Sequence, residues 1–187
     1  MRKKNYINKA FELGFLYEKK YRGCAQCTIA ATQDSLGIKN ENIFKIASTL
    51  GGGIGKLTDG VCGGYSGAAI MISALFGRRR NKFDDDEENK LCSNQLTVKL
   101  HQKFIDTYGS VICREIHRKI FGRIFNLWDE EEKREFERMG AHQDKCTNIV
   151  ANTAAWTTEL ILNELERRNK TLIIQPVSYT HLRAHET

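Results

Sequence analysis

The chain is organised around the stretch Gly51-Gly-Gly-Ile-Gly-Lys-Leu-Thr-Asp-Gly-Val-Cys62-Gly-Gly-Tyr-Ser-Gly-Ala-Ala69, in which nine residues are glycine or cysteine. Glycine is used where the backbone takes positive φ or passes very close to a neighbour. This density of glycine therefore predicts a tightly turned loop around the thiol of Cys62. Residues 62–76 that follow are almost all apolar, and a helix that is apolar all round must be buried on most sides. We therefore expect a glycine-rich loop that leads into a buried central helix.

Outside this stretch, apolar residues recur at three- and four-residue intervals, which is the spacing of amphipathic helices. Further helices are predicted over residues 6–21, 24–36, 41–50, 87–108, 110–122, 129–138 and 142–169. The single proline, Pro176, lies near the C-terminus, and no segment requires a strand. The sequence thus predicts an all-α fold, a single-domain bundle of several helices over residues 1–170.

The last segment, residues 171–187, has neither a helical nor a strand period. We interpret it as a disordered or artefactual tail outside the fold. Its two histidines, His181 and His185, are therefore not considered as ligands.

Composition limits the possible partners. The formal net charge is +6, but basic and acidic residues are interspersed, and the run Arg78-Arg79-Arg80 is soon followed by the acidic residues 84–88. This pattern is typical of a solvated loop, so no nucleic-acid partner is expected. The basic N-terminus has no apolar segment behind it, and the longest charge-free run, residues 60–77, is rich in glycine. We expect no membrane association and a cytoplasmic location.

The segment Gly51–Lys56 invites comparison with a phosphate-binding loop. That motif requires four residues between its glycines and a Ser or Thr after the lysine. Here three residues lie between Gly51 and Gly55, and Leu57 follows the lysine. Nucleotide binding is therefore not predicted.

Six cysteines are many for a chain expected in a reducing compartment, where they serve more often as catalytic thiols, metal ligands or small buried residues than as structural disulfides. Cys24-Ala-Gln-Cys27 stands at the start of a predicted helix, and Cys62 stands at the start of another. The partial positive charge of a helix start stabilises a thiolate and lowers the pKa of the thiol. Alternatively, Cys27 only fills space in the core.

Two cysteines have a histidine one helical turn away, in the patterns Cys113-x-x-x-His117 and His142-x-x-x-Cys146. This spacing puts thiol and imidazole on one face of a helix. A histidinium lowers the pKa of a neighbouring thiol, but a cysteine and a histidine at this spacing also suit zinc. A third interpretation is that both histidines are ordinary polar residues near helix ends.

Four segments carry a resemblance to a known family, and they are Cys24-Ala-Gln, Gly51-Gly-Gly-Ile-Gly with Cys62-Gly-Gly-Tyr-Ser-Gly67-Ala, Gly109-Ser-Val-Ile-Cys113-Arg-Glu-Ile and Asp144-Lys-Cys146. Together they resemble the C_GCAxxG_C_C family of redox-active proteins, and the resemblance covers about residues 5–168. The resemblance implies a small bacterial helical protein, encoded near transporters and oxidoreductases, in which four cysteines do redox work and selenocysteine replaces a cysteine in some members.

By this resemblance the site residues are Cys24, Cys62, Cys113 and Cys146, whereas Cys27 and Cys92 fall outside the family pattern. The chain has Gly64 where the family motif usually has alanine, a departure that leaves the thiol of Cys62 in place.

The first functional hypothesis is a thiol–disulfide oxidoreductase or redox carrier that acts on a redox partner protein or a small thiol. In it Cys24 or Cys62 attacks, and Cys113 and Cys146 are resolving or second-pair thiols. The second hypothesis is a metal or iron–sulfur module held by the same four cysteines. The third is a helical binding protein whose cysteines are merely buried. The sequence identifies no cofactor, substrate or oligomeric state, and four cysteines allow three pairings.

Overall fold

The structure, a computed structural model, describes residues 2–84 and 87–169. The predicted tail, with His181 and His185, lies outside these residues. The all-α class predicted from the sequence is confirmed: the described residues form helices joined by turns and loops and contain no strand. The helices are α1 (Arg2–Tyr21), α2 (Cys24–Leu36), α3 (Glu41–Ile46), α4 (Gly63–Phe76), α5 (Glu87–Tyr108), α6 (Cys113–Phe121), α7 (Glu130–Arg138) and α8 (Cys146–Arg167).

Helix α8 packs against α1, α2, α4 and α5. The close approach of α1 depends on a missing side chain, because a Cβ at Gly14 would lie 2.9 Å from the Cα of Ala151. Helix α4 packs against α2, α5 and α8 through one face, whereas Ser73, Ala74 and Leu75 are exposed. The expectation that α4 is buried on most sides is therefore too strong, since its C-terminal half faces solvent on one side.

Several helix boundaries differ from the predicted ones, and the first is the start of α1 at Arg2, four residues before the predicted residue 6. Helix α3 ends at Ile46, because the backbone of Ala47 (φ −85°, ψ 0°) already leaves the helical conformation. Helix α6 begins at Cys113, three residues later than predicted, because the backbone before it pairs with the glycine-rich stretch. A short π-helical turn, Ala141–Lys145, precedes α8, and His142 within it is not helical (φ −104°, ψ 18°). The polar residues predicted as the start of the last helix thus form a separate turn.

Candidate functional site

The four cysteines named by the resemblance each stand at the start of a helix. Cys24, Cys113 and Cys146 are the first residues of α2, α6 and α8, and Cys62 immediately precedes α4. All four line one cavity of about 170 Å³. Four helix starts from distant parts of the chain therefore supply thiols to a common site.

A short backbone pairing brings Cys62 and Cys113 to the same place. Val61 and Ile112 form an isolated antiparallel bridge. The N–H of Cys62 donates to the carbonyl of Val111 (2.8 Å), and the N–H of Cys113 donates to the carbonyl of Gly60 (2.9 Å). The glycine-rich stretch thus fixes the start of α4 beside the start of α6.

A glycine on the glycine-rich stretch makes room for Cys113. Gly53 has a φ of +75°, which side-chain-bearing residues rarely adopt. A Cβ there would also lie 2.9 Å from the Cβ of Cys113. The glycine at this position therefore serves both the turn and the close approach to a cavity thiol.

A second glycine makes room for Cys24. A Cβ at Gly63, the residue after Cys62, would overlap the sulfur of Cys24. The chain enters α2 through Gly23, whose φ of +93° again favours glycine. The Cys24 sulfur is therefore packed against the first residue of α4, next to Cys62.

Burial raises the pKa of all four thiols. The pKa of Cys62 is raised to about 11 by burial, although the backbone N–H groups of Gly64 and Tyr65 act in the opposite direction. Burial and the charge of Glu18 raise the pKa of Cys24, and burial raises that of Cys113 and Cys146, with the neighbouring thiols adding to the effect. The prediction that helix starts lower these pKa values is therefore wrong for the resting protein, because desolvation outweighs the helix-start effect.

The predicted pairing of Cys113 with His117 is present. The Nε2 atom of His117 lies 3.5 Å from the Cys113 sulfur. The imidazole is only 3% exposed and contacts the rings of Phe121, Phe125 and Phe136. Burial lowers its pKa to about 4, so the ring is neutral at physiological pH and is not the histidinium that the sequence allowed.

His142 faces carboxylates. Its Nδ1 atom lies 2.9 Å from Glu137 Oε1, and its Nε2 atom lies 3.5 Å from Glu18 Oε1. Burial lowers the pKa of His142, but the hydrogen bonds to Glu18 and Glu137 outweigh burial and the net pKa is raised. The sequence pattern therefore predicted His142 at the site, but it paired His142 with Cys146 and did not predict the contacts with Glu137 and Glu18.

Glu18 is the main site residue that the sequence analysis missed. It lines the cavity, its side chain is buried, and its Oε2 atom has no hydrogen-bond partner among the described residues. The buried residues of α1 are Ala10, Gly14 and Glu18, which are spaced four residues apart. Extending the small-residue stripe of Ala10 and Gly14 by one turn would have pointed to a buried carboxylate.

The two cysteines outside the family pattern differ in their position. Cys27 lies one turn after Cys24 on α2, and its thiol donates to the carbonyl of Arg22 (3.2 Å). Cys92 lies on α5, away from the cavity, with its sulfur 3.2 Å from Glu164 Oε1. Both are buried.

The side-chain arrangement also bears on the metal hypothesis. Within residues 2–84 and 87–169, no three His, Cys, Asp or Glu side chains are placed so that they could hold a metal ion. Zinc and iron–sulfur sites need their ligands to converge on one point. The thiols share a cavity here without that convergence.

A family model described as "Putative redox-active protein (C_GCAxxG_C_C)" matches residues 23–160, which include all four cavity cysteines. The chain belongs to this family. Searches of curated proteins and of solved structures found no match. The C_GCAxxG_C_C description supports a general redox role, and the cavity is where the four family thiols meet.

The described helices were also compared with the requirements of a bilayer. None of them is both long enough and apolar enough to span it.

Proposed function

We propose that this C_GCAxxG_C_C protein carries out thiol–disulfide exchange in the cavity, with a disulfide-bearing partner protein or a small disulfide as its oxidant. The observation that carries the proposal is the common cavity formed by Cys24, Cys62, Cys113 and Cys146 at four helix starts. An aliphatic core has no need of four thiols from four separate segments around one cavity, whereas a dithiol redox site needs thiols that can reach one another.

Access and acidity select different cysteines for the first step. Cys24 and Cys146 are partly exposed, whereas Cys62 is buried at 5% exposure. Of the two partly exposed thiols, Cys24 is the one whose sulfur packs at Gly63, next to Cys62. The sulfur of Cys62 accepts hydrogen bonds from the backbone N–H groups of Gly64 and Tyr65, and these bonds favour its thiolate. We assign the contact with the substrate disulfide to Cys24. We assign to Cys62 the role of a thiol that exchanges disulfides with other cysteines within the cavity.

The reaction transfers two electrons. The Cys24 thiolate attacks one sulfur of the substrate disulfide, so that a mixed disulfide forms and the other substrate sulfur leaves as a thiolate. A second protein thiolate then attacks the Cys24 sulfur, an internal disulfide forms and the second substrate thiolate leaves. The protein loses two electrons and two protons, and the substrate disulfide becomes two thiols.

The clustering of the thiols favours their protonated form in the resting site. A thiolate at Cys62 or Cys24 opposes a second thiolate at Cys113, and those three oppose one at Cys146. Ionisation of one thiol therefore disfavours ionisation of its neighbours. The four thiols can supply up to four electrons as two disulfides.

The proposal is tested by counting free thiols in the anaerobically reduced protein before and after treatment with oxidised glutathione. The chain has six cysteines, and we expect the count to fall by two or by four. Cys24→Ser should reduce this loss, whereas Cys92→Ser, a substitution of a cysteine outside the cavity, should not. A count that stays at six in the wild-type protein would contradict thiol–disulfide exchange, as would metal released in stoichiometric amount when the thiols are modified.

A further inference from the structure

Cys27 has the geometry of a disulfide partner for Cys24. The N–H of Cys27 donates to the carbonyl of Gly23 (2.9 Å), so α2 is helical from its first turn. A rise of 1.5 Å per residue and 3.6 residues per turn put Cα atoms three residues apart at a distance of about 5 Å. Disulfides join Cα atoms about 4.4–6.8 Å apart. The Cα separation of Cys24 and Cys27 is therefore within the range of a disulfide.

The surroundings of Cys27 supply a place for its proton. The thiol is buried and donates to the Arg22 carbonyl (3.2 Å), and the Glu18 carboxylate lies close enough to compete for its proton. Burial and then the charge of Glu18 raise the pKa of Cys27. The Oε2 atom of Glu18 has no hydrogen-bond partner among the described residues. A buried carboxylate with an open oxygen beside a buried thiol is a proton acceptor in position.

We propose that Cys27 is the resolving thiol for mixed disulfides at Cys24, and that Glu18 accepts the Cys27 proton. This inference rests on the proposed thiol–disulfide exchange and adds a cysteine that the family pattern leaves out.

The second half of the reaction then has defined atoms. The proton of the Cys27 thiol moves to Glu18, and the Cys27 sulfur attacks the Cys24 sulfur of the mixed disulfide. The Cys24–Cys27 bond forms as the bond from Cys24 to the substrate sulfur breaks, and that sulfur leaves with the electron pair. The departing thiolate takes a proton from solvent, and Glu18 later returns its proton to solvent.

The route of that proton follows the contacts of His142. Its Nε2 atom lies 3.5 Å from Glu18, and its Nδ1 atom lies 2.9 Å from Glu137, whose side chain is 30% exposed. Glu137 is also paired with Arg22 (3.3 Å). The series Glu18, His142 and Glu137 thus connects the buried thiols with solvent. Glu137 is the member of the series from which the proton leaves to solvent.

Several titratable groups contribute to the field at Glu18, and all of them enter the pH dependence. They come from α2, the residue before α4, the π-helical turn and α8, and they are Cys24, Cys27, Cys62, His142 and Cys146. Of these, His142 makes the ion-pair contact with the carboxylate, with its Nε2 atom 3.5 Å from Oε1.

The main competitor of Cys27 is Cys62, which is adjacent to Gly63 where the Cys24 sulfur packs. Peptide mapping separates the two. Trypsin cleaves after Arg22 and Lys39, so Cys24 and Cys27 share one peptide that contains no other cysteine, whereas Cys62 lies in the peptide 57–78. A Cys24–Cys27 disulfide makes the peptide 23–39 two hydrogen atoms lighter, and a Cys24–Cys62 disulfide cross-links the two peptides.

The first experiment is one turnover of the reduced full-length chain with oxidised glutathione, followed by acid quenching and mass spectrometry. We expect the lighter 23–39 peptide in the wild-type protein and in Cys92→Ser. In Cys27→Ser we expect glutathione to stay attached to Cys24, with a lifetime at least about ten times longer. A Cys24–Cys62 cross-link with unchanged kinetics in Cys27→Ser would overturn the inference and leave the proposed function standing. No thiol loss in any variant would overturn the proposed function itself.

The second experiment tests Glu18 through the pH profile of the same resolving step. Glu18→Gln should slow the loss of glutathione from Cys24 by about 100-fold near neutral pH, and the rate should rise steeply with pH, because hydroxide must then take the proton. The control is Glu135→Gln on α7, a carboxylate that is paired with Arg138 and does not line the cavity. If Glu18 acted only through its charge, its removal would lower the thiol pKa and speed the step at every pH, which would overturn its assignment as the proton acceptor.

Discussion

Two buried thiols of this protein lie beside buried carboxylates, and the carboxylates are compensated very differently. The Glu164 carboxylate accepts a hydrogen bond from the Cys92 thiol (3.2 Å) and further hydrogen bonds from Arg167 and Arg168. Hydrogen bonds from Arg167, and then from Arg168, lower the pKa of Glu164 to about 2 against the effect of burial. Glu18, beside Cys27, has instead one histidine and an oxygen without a partner in the described part of the chain.

The difference teaches that a buried thiol and carboxylate do not by themselves make a reactive site. Hydrogen bonds from two guanidinium groups stabilise Glu164 as a carboxylate and so disfavour its protonation. Glu18 has a free acceptor position, and it lines a cavity with four further thiols. The two sites thus differ in the kind of atom left without a partner within the described residues: a carboxylate oxygen of Glu18, which can accept a proton, and the Nη2 atom of Arg168 beside Glu164, which cannot.

The largest effect on stability is expected at Gly63, because the Cys24 sulfur fills the space beside it. Gly63→Ala adds a Cβ that overlaps the Cys24 sulfur, so α4 or Cys24 must shift. We expect a loss of about 2–3 kcal/mol in the free energy of unfolding, since overpacking costs about 1–3 kcal/mol, together with loss of thiol exchange at Cys24. Urea denaturation and the glutathione assay measure the two effects.

The matched control is the next residue of the same helix. Gly64→Ala places its Cβ 3.3 Å from the Thr153 hydroxyl oxygen, a tight contact that a small shift relieves. Alanine is also the better helix former by about 0.5–1 kcal/mol. The change in stability should therefore be near zero. Equal losses for both substitutions would mean that crowding around Cys24 is not what the glycine relieves.

The second effect compares the two carboxylates directly. Glu164→Gln leaves Arg168, which is largely buried, without its anionic partner, and should cost about 1–2 kcal/mol after allowance for the solvent-screened Arg167. Glu18→Gln removes an incompletely bonded charge and should cost less than about 1 kcal/mol. Chemical denaturation of both variants at pH 7 gives the comparison. A larger loss for Glu18→Gln would show that its carboxylate is structural, like that of Glu164.

The sequence was sufficient for much of this arrangement but not for the difference between the two carboxylates. Periodicity and glycine positions predicted the helices, and α5 has the predicted bounds, with Gly109 at a φ of +76° directly after it. The pairing of Val61 with Ile112 was not predictable, since it joins residues 51 positions apart through backbone atoms only. Side-chain spacing found the contact of His117 with Cys113 within one helix. Spacing along α1 indicates that Glu18 is buried, but it does not indicate that Glu18 lines the cavity with cysteines of other helices.

The acid limb of stability should report the Glu164 site. Its pKa in the folded protein is about 2 and that of an unfolded glutamate is about 4.3, so the folded form is favoured above the higher value. This contribution is lost as pH falls from about 4.3 through the folded pKa. Urea denaturation of the wild-type protein between pH 5 and pH 2 should show this loss, and Glu164→Gln should show a flatter profile there. Identical slopes for the two proteins would exclude Glu164 as its source.

The smallest effect should appear on the alkaline side and report the Glu18 site. The pKa of His142 is raised above its unfolded value of about 6.5, so its contribution to stability is fully present below that pH and is lost as pH rises through the folded pKa. His142→Gln should remove the decline in stability between about pH 6.5 and pH 8, below the range in which unfolded thiols ionise, and leave the acid limb unchanged, because Glu164 lies outside the cavity. If the decline persists in His142→Gln, another group must titrate there, and the link from Glu18 through His142 to Glu137 loses its support.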